Sequence, residues 1–166
     1  MNGSVRILGI DPGLRYTGWG LIICQGSRMQ YGASGRVSTP TEGNLAERLA
    51  FLSFALEEIV RDHTPDETAV EETFVNTNAR STLKLGQARG VCLLAPARLG
   101  IPVAEYAANT VKKAVVGVGH AQKDQMSAMV ARLLPQAPSL TADEADALAI
   151  ALCHSSHRQT LTRVSA

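Results

Sequence analysis

The chain has 166 residues, 45% hydrophobic, 19% charged and 4% aromatic, with a formal net charge of +1 and a mean hydropathy of +0.02. That length supports one hydrophobic core rather than two, and the balance excludes a disordered polyelectrolyte. No apolar run reaches the ~20 residues of a membrane-spanning helix, and MNGSVRILGID lacks the apolar region and cleavage site of a secretory signal, so a cytoplasmic location is expected.

Val5 to Ile23 reads as an apolar strand ending in Asp11, a Pro12-Gly13 turn, and a returning strand from Tyr16. Asp11 is the sole acid among the first 41 residues, and it stands where the sheet meets solvent. It is either a chemical group or simply a cap for the turn. Met29 to Val37 reads as a third strand closing an antiparallel meander. After the loop Ser38 to Asn44, Leu45, Leu49, Leu52, Leu56, Ile59 and Val60 recur at helical spacing up to Pro65. Thr68 to Glu72 reads as a buried strand reached by that helical crossover. Such a crossover makes parallel pairing, which would lay this strand beside the first and bring Asp11 to Glu71 or Glu72.

Asn76 to Leu99 reads as a long helix containing Pro96, with Gly86 and Gly90 four apart as either a subunit contact or a tight seat on the sheet. Ile101 to Tyr106 predicts a fifth strand, Asn109 to Val115 a short helix, Gly117 to His120 a loop, and Lys123 to Leu134 another helix. The last helix begins at Thr141, where Thr141 and Glu144 make a capping box. Asp143 and Asp146 then lie a turn apart at its positive end, with Leu148, Ile150 and Leu152 assigned to an opposite, packing face. From Ser155 the polar sequence is expected to be loose. Residues 1–158 are expected to form one domain and 159–166 a flexible tail. The fold class is α/β: a mixed five-stranded sheet, meander plus parallel strands, flanked by helices.

Charge is unevenly distributed. Phe74 to Lys123 carries +6 from Arg80, Lys84, Arg89, Arg98, Lys112, Lys113 and Lys123 against Glu105, which leaves −5 for the remainder. This pattern predicts a positive surface for nucleic acid beside a carboxylate cluster, or else a solvated basic helix face. Cys24, Cys92 and Cys153 are far apart and form no CxxC, so buried thiols are expected rather than disulfides or structural zinc.

Asp11, Glu71, Asp143 and Asp146 converge from separate elements with no histidine paired to them by spacing. An all-carboxylate set suits hard cations such as Mg²⁺ or Mn²⁺. Two such ions about 4 Å apart serve in-line phosphodiester cleavage. Glu72 is expected to point to the opposite strand face. His120, in its loop, is either a further phosphate contact or proton donor or simply a solvent-exposed histidine, and His154 and His157, three apart at the fraying end of the last helix, are not read as a metal site.

These stretches carry a resemblance. ILGIDPGLRYTGWG, AVEETFVNTNARSTLKLGQARGV, EYAANTVKKAVVGVGHAQK and ADEADALAIA, spread between residues 7 and 152, resemble the RuvC Holliday-junction resolvases of the ribonuclease H-like superfamily. The resemblance implies a bacterial homodimer that makes paired, symmetric, metal-dependent nicks in four-way DNA and works with the RuvA and RuvB branch-migration proteins. It implies metal binding by Asp11, Glu71, Asp143 and Asp146, and a dimer contact at Gly86 and Gly90. It further implies base stacking by Phe74, and phosphate contacts by Lys112 and Lys123, the latter at the scissile group. Arg80, Lys84 and Lys113 complete the expected DNA surface. Rival readings are a phosphotransferase, a junction-binding protein without catalysis, and a ribonuclease H-like nuclease acting on RNA.

Overall fold

The computed structural model describes residues 3–72 and 77–164, with side chains through Arg158. Three antiparallel strands, β1 (Val5–Asp11), β2 (Tyr16–Gln25) and β3 (Arg28–Ser38), form the expected meander. Helix α1 (Leu45–His63) crosses over to β4 (Glu67–Glu71), which pairs parallel to β1, and α2 (Ala79–Arg98) leads to β5 (Val103–Tyr106), parallel to β4. The sheet order is β3-β2-β1-β4-β5. Helices α3 (Ala108–Val116), α4 (Lys123–Leu133) and α5 (Ala142–Val164) follow. Among the described residues no helix is long and apolar enough to cross a membrane.

Strand alternation sorts the core into two layers. Leu8, Ile10, Leu21 and Val70 face α1 and α2, where Leu52, Leu56, Val60, Ala88 and Cys92 meet them. Ile7, Ile22 and Ala69 face α5, which is itself covered by Val111 and Val115 of α3 and by Met126 and Val130 of α4. This second layer changes the reading of α5. Ala147 through Cys153 are all buried, so the helix has no separate packing face but is enclosed between the sheet and α3–α4.

Glycine makes that enclosure possible. Gly9 and Gly20 are paired across β1 and β2, both turned toward α5. A Cβ on Gly9 would run into the Ala147 carbonyl, and one on Gly20 would come within 2.6 Å of the Leu148 side chain. Gly18 is equally closed, by the backbone of Asp143. Helix and strands therefore approach more closely than any side chain would permit.

The C-terminal half of α5 departs from expectation. The chain does not loosen at Ser155: the helix continues, Ser155 is buried against the Cys24 thiol, and Arg158 Nε donates to Glu67 at 2.7 Å. All three cysteines are buried and free.

Candidate active site

The register that pairs β1 with β4 places Ile10 opposite Val70. The next residue in each strand is an acid, so Asp11 and Glu71 emerge together at one sheet edge and on the α5 side. Across β2, Asp11 pairs with Gly18, over which the Asp143 backbone lies. The glycine strip thus seats the first turn of α5 against the end of β1. The capping box fixes where that turn begins: Glu144 N donates to Thr141 Oγ1 at 3.3 Å, and Thr141 N donates to the Glu144 carboxylate at 2.8 Å. Asp146 follows one turn into the helix. A cleft of about 410 Å³ is lined by Asp11, Glu71 and Asp146 together with Lys112, Lys123 and Gln122.

The acids disturb one another strongly. Burial, followed by the charges of Glu71, Asp146 and Asp143, pushes the Asp11 carboxyl up to about 8, and it hydrogen-bonds the Glu71 side chain. Glu71 is raised by burial and by Asp146, against the opposing pull of Lys112 and Lys123. Asp146 is raised chiefly by burial, with Lys123 opposing. Carboxylates so placed favour a proton or a cation between them. Among the described residues no three His, Cys, Asp or Glu side chains close around a single point. The arrangement still fits Mg²⁺ or Mn²⁺, because Mg²⁺ is ordinarily held by one or two carboxylates plus waters and substrate phosphate oxygens rather than by an all-protein cage.

The other expected site residues separate into groups. Lys112 and Lys123, from α3 and the start of α4, line the cleft. Lys113, one residue on, is exposed and runs along the Gly119 loop instead. Arg80 and Lys84 are exposed on the first turns of α2, outside the cleft lining. Phe74 lies outside the described residues. Glu72 is exposed, as its strand parity predicts, and so is His120. Gly86 and Gly90 are exposed on α2, and a Cβ on either would meet nothing within 4 Å. That removes the tight seat on the sheet as their explanation.

Three features were not anticipated from sequence. Arg89, counted with the basic surface, is engaged: its Nε donates to the Glu71 carbonyl at 3.0 Å and its guanidinium pairs with Glu105. Arg36 on β3 reaches Asp143, with Nη1 3.4 Å from Oδ2. His154, expected at a fraying end, is buried between the Tyr106 hydroxyl at 2.8 Å and Glu67 at 2.7 Å. The one available sequence signal was the repetition of glycine at Gly9, Gly18 and Gly20, which marks close approach of another backbone.

Comparison with known proteins agrees with this architecture. The family model described as crossover junction endodeoxyribonuclease RuvC matches residues 7–154. A RuvC crossover junction endodeoxyribonuclease from Brucella anthropi is 54% identical over 161 residues, covering 97% of this chain and 94% of that one. Its counterpart from Acidiphilium cryptum is 57% identical over 161 residues, covering 97% and 96%. Among solved structures, T. thermophilus RuvC in complex with Holliday junction substrate superposes with a TM-score of 0.87 at 31% identity, covering 95% of this chain and 97% of that one. With the sheet order, the helix seated on glycine and the clustered acids all in place, this chain belongs to the RuvC crossover junction endodeoxyribonuclease family.

Proposed function

We propose that this protein is a divalent-metal-dependent endonuclease that resolves four-way DNA junctions by paired, symmetric nicks, acting as a homodimer in the bacterial cytoplasm. The observation that carries the reading is the meeting of Asp11, Glu71 and Asp146 in one cleft with Lys112 and Lys123. A site for binding DNA alone would gain nothing from buried carboxylates turned toward phosphates. Asp11, Glu71, Asp143 and Asp146 would hold Mg²⁺ or Mn²⁺, as two ions. When bound, these ions would activate a water and stabilise the leaving oxygen of an in-line displacement.

The chain's own contribution is placement and charge. Asp11 and Glu71 are fixed by strand register and Asp146 by a buried helix, so the carboxylates need little reorganisation when substrate arrives. Lys123, at the mouth of the cleft, is positioned to neutralise charge building on the scissile phosphate, and Lys112 to hold the phosphate beside it. Arg80, Lys84 and Lys113 extend the basic surface for the DNA arms, and Phe74 stacks on bases at the opened crossover. Gly86 and Gly90, with the exposed Leu83 and Leu94 on the same helix, supply the dimer contact. Residues 1–158 form the nuclease unit and 159–166 a tail. Work with RuvA and RuvB completes the reading.

The test is cleavage of a synthetic four-way junction in Mg²⁺, Mn²⁺ or EDTA, with linear duplex and RNA–DNA hybrid as controls and Asp11→Asn alongside. Metal-dependent symmetric nicks confined to the junction and lost in the variant are expected. Binding without cleavage in either metal would favour an architectural protein, and preference for the hybrid would favour an RNA nuclease.

A further inference from the structure

One row of residues crosses the sheet at the level of the acids. Arg36 of β3 pairs with Gly18 of β2, and Gly18 pairs with Asp11 of β1, so all three face α5. Because Gly18 has no side chain, the first turn of α5 settles between Arg36 and Asp11, and Asp143 comes within reach of the arginine. Arg36 is also seated on an aromatic ring, its guanidinium carbon 4.1 Å from the Tyr16 centroid. Arg15 lies 5.0 Å from that same ring, with its own guanidinium donating to the Thr39 carbonyl. This cationic, aromatic rim lies outside the basic middle segment and reaches the acid cluster through Asp143, on β3 rather than on the helices that carry Lys112 and Lys123.

The contact between Arg36 and Asp143 has the character of an exchangeable one. It is single, through Nη1 only, at 3.4 Å, and the two side chains are 39% and 32% exposed. A pair of this kind is weak and readily screened. The field of Arg36 also reaches Glu144, but that carboxylate is already held by Thr141 and by Ser34 at 2.9 Å. Asp143 is therefore the acid with which Arg36 pairs. A cation taking the Asp143 carboxylate would displace the guanidinium, which the Tyr16 ring would keep at the rim, facing outward.

We propose that Arg36 is an exchangeable counter-ion: it occupies Asp143 while the acid cluster is without metal, and is handed to a DNA phosphate when a divalent cation takes that carboxylate. This rests on the reading of the acids as a metal site in a junction nuclease, and deepens it by coupling metal occupancy to grip on DNA. Binding of the two ligands is then linked through one side chain, each favouring the other. Tyr16 acts as the resting place of the cation in both states.

Two measurements test this without reading cleavage. In Mn²⁺ titrations followed by electron paramagnetic resonance, without DNA, Arg36→Gln should bind about two- to fivefold more tightly than wild type, because the competing cation is gone. Arg36→Lys should stay close to wild type. In fluorescence anisotropy on a labelled four-way junction, affinity is measured against salt in EDTA and again in Ca²⁺, a cation with the same oxygen preference. Wild type and Arg36→Gln should share one slope in EDTA, whereas in Ca²⁺ the variant's log–log slope should be shallower by about 0.9, the loss of one phosphate contact. Unchanged or weaker Mn²⁺ binding by Arg36→Gln overturns the proposal, and so does a slope difference that is the same with and without Ca²⁺. If wild type and Asp11→Asn alike take up no Mn²⁺, the metal-site reading underneath has failed instead.

Discussion

Asp11→Asn should make the metal-free protein more stable, and increasingly so as pH rises. Burial and three neighbouring acids hold the Asp11 carboxyl near 8, against an ordinary 3.8. The folded state therefore binds this proton more tightly than the unfolded chain. Below pH 3.8 both states are protonated and the site costs nothing. Between 3.8 and about 8 the unfolded chain has released the proton while the folded state retains it, so stability falls as pH rises through that window. At ~1.4 kcal/mol per pH unit the ceiling is roughly 6 kcal/mol. Sharing of the proton with Glu71 brings the expected cost at pH 8 to on the order of 2–3 kcal/mol. Asparagine carries no charge and can donate from its amide to Glu71, so it removes that cost. For a domain of this size about 2–4 °C accompanies each kcal/mol, which predicts a Tm for Asp11→Asn higher by about 4–12 °C at pH 8 in EDTA. The gain should fall to about a third of that at pH 5. Adding Mg²⁺ or Mn²⁺ should stabilise wild type by mass action and narrow the difference. Calorimetry across pH in both conditions decides the matter. A lower Tm in the variant, or a gain independent of pH, would show that the carboxyls do not strain the fold and that the electrostatic account is wrong.

Gly9→Ala should destabilise by more than about 3 kcal/mol, since the new methyl enters the Ala147 carbonyl and α5 has nowhere to retreat between sheet and α3–α4; urea melts within 1 kcal/mol of wild type would mean that the helix is not so closely seated. Gly86→Leu should leave each subunit folded, because a side chain there meets open space, yet convert a dimer to monomers on size exclusion; a retained dimer would move the contact elsewhere. His154→Ala should cost about 1–3 kcal/mol by removing the bridge between Tyr106 and Glu67, measured by chemical denaturation. Combined with Asp11→Asn, its effect should add to within about 0.5 kcal/mol, as expected for residues without shared partners, and strong non-additivity would show α5 pivoting rather than behaving as a rigid element.

Local signals account for the parts of this molecule that the sequence discloses directly. Alternating and continuous apolar runs, broken at Pro12-Gly13 and Pro65, delimit strands and crossover, and the crossover in turn implies the parallel neighbourhood of β1 and β4 that unites Asp11 with Glu71. The start of α5 is written in Thr141 and Glu144. Other features depend on partners distant in the chain. Whether α5 is covered on one side or all round is decided by α3 and α4, which its own periodicity does not register. Arg36 meets an acid 107 residues away, and His154 is held by Glu67 from 87 residues away. Counting charge in a segment also cannot separate Arg89, tied to the Glu71 carbonyl and Glu105, from Lys112 and Lys123, which line the cleft.

The two ends of α5 explain why the acids can be held together at all. Near its start, Asp146 is brought toward Glu71 at the end of β4, an arrangement that burial and like charge both oppose. Farther along, His154 and Arg158 meet Glu67 at the beginning of the same strand, an attractive cluster with complementary charges and short hydrogen bonds. Glu67, Ala69 and Glu71 share one face of β4, so one helix and one strand are joined favourably at one end and unfavourably at the other. Between these ends the glycine strip and the buried stretch from Ala147 to Cys153 make the helix a stiff connection. Packing along this stretch therefore holds the carboxylates closer than they would settle by themselves, and the distal cluster offsets part of the cost without changing their spacing. The repulsion stored there is relieved by a cation, so the arrangement that weakens the empty protein is the same one that makes the cleft selective for positive charge.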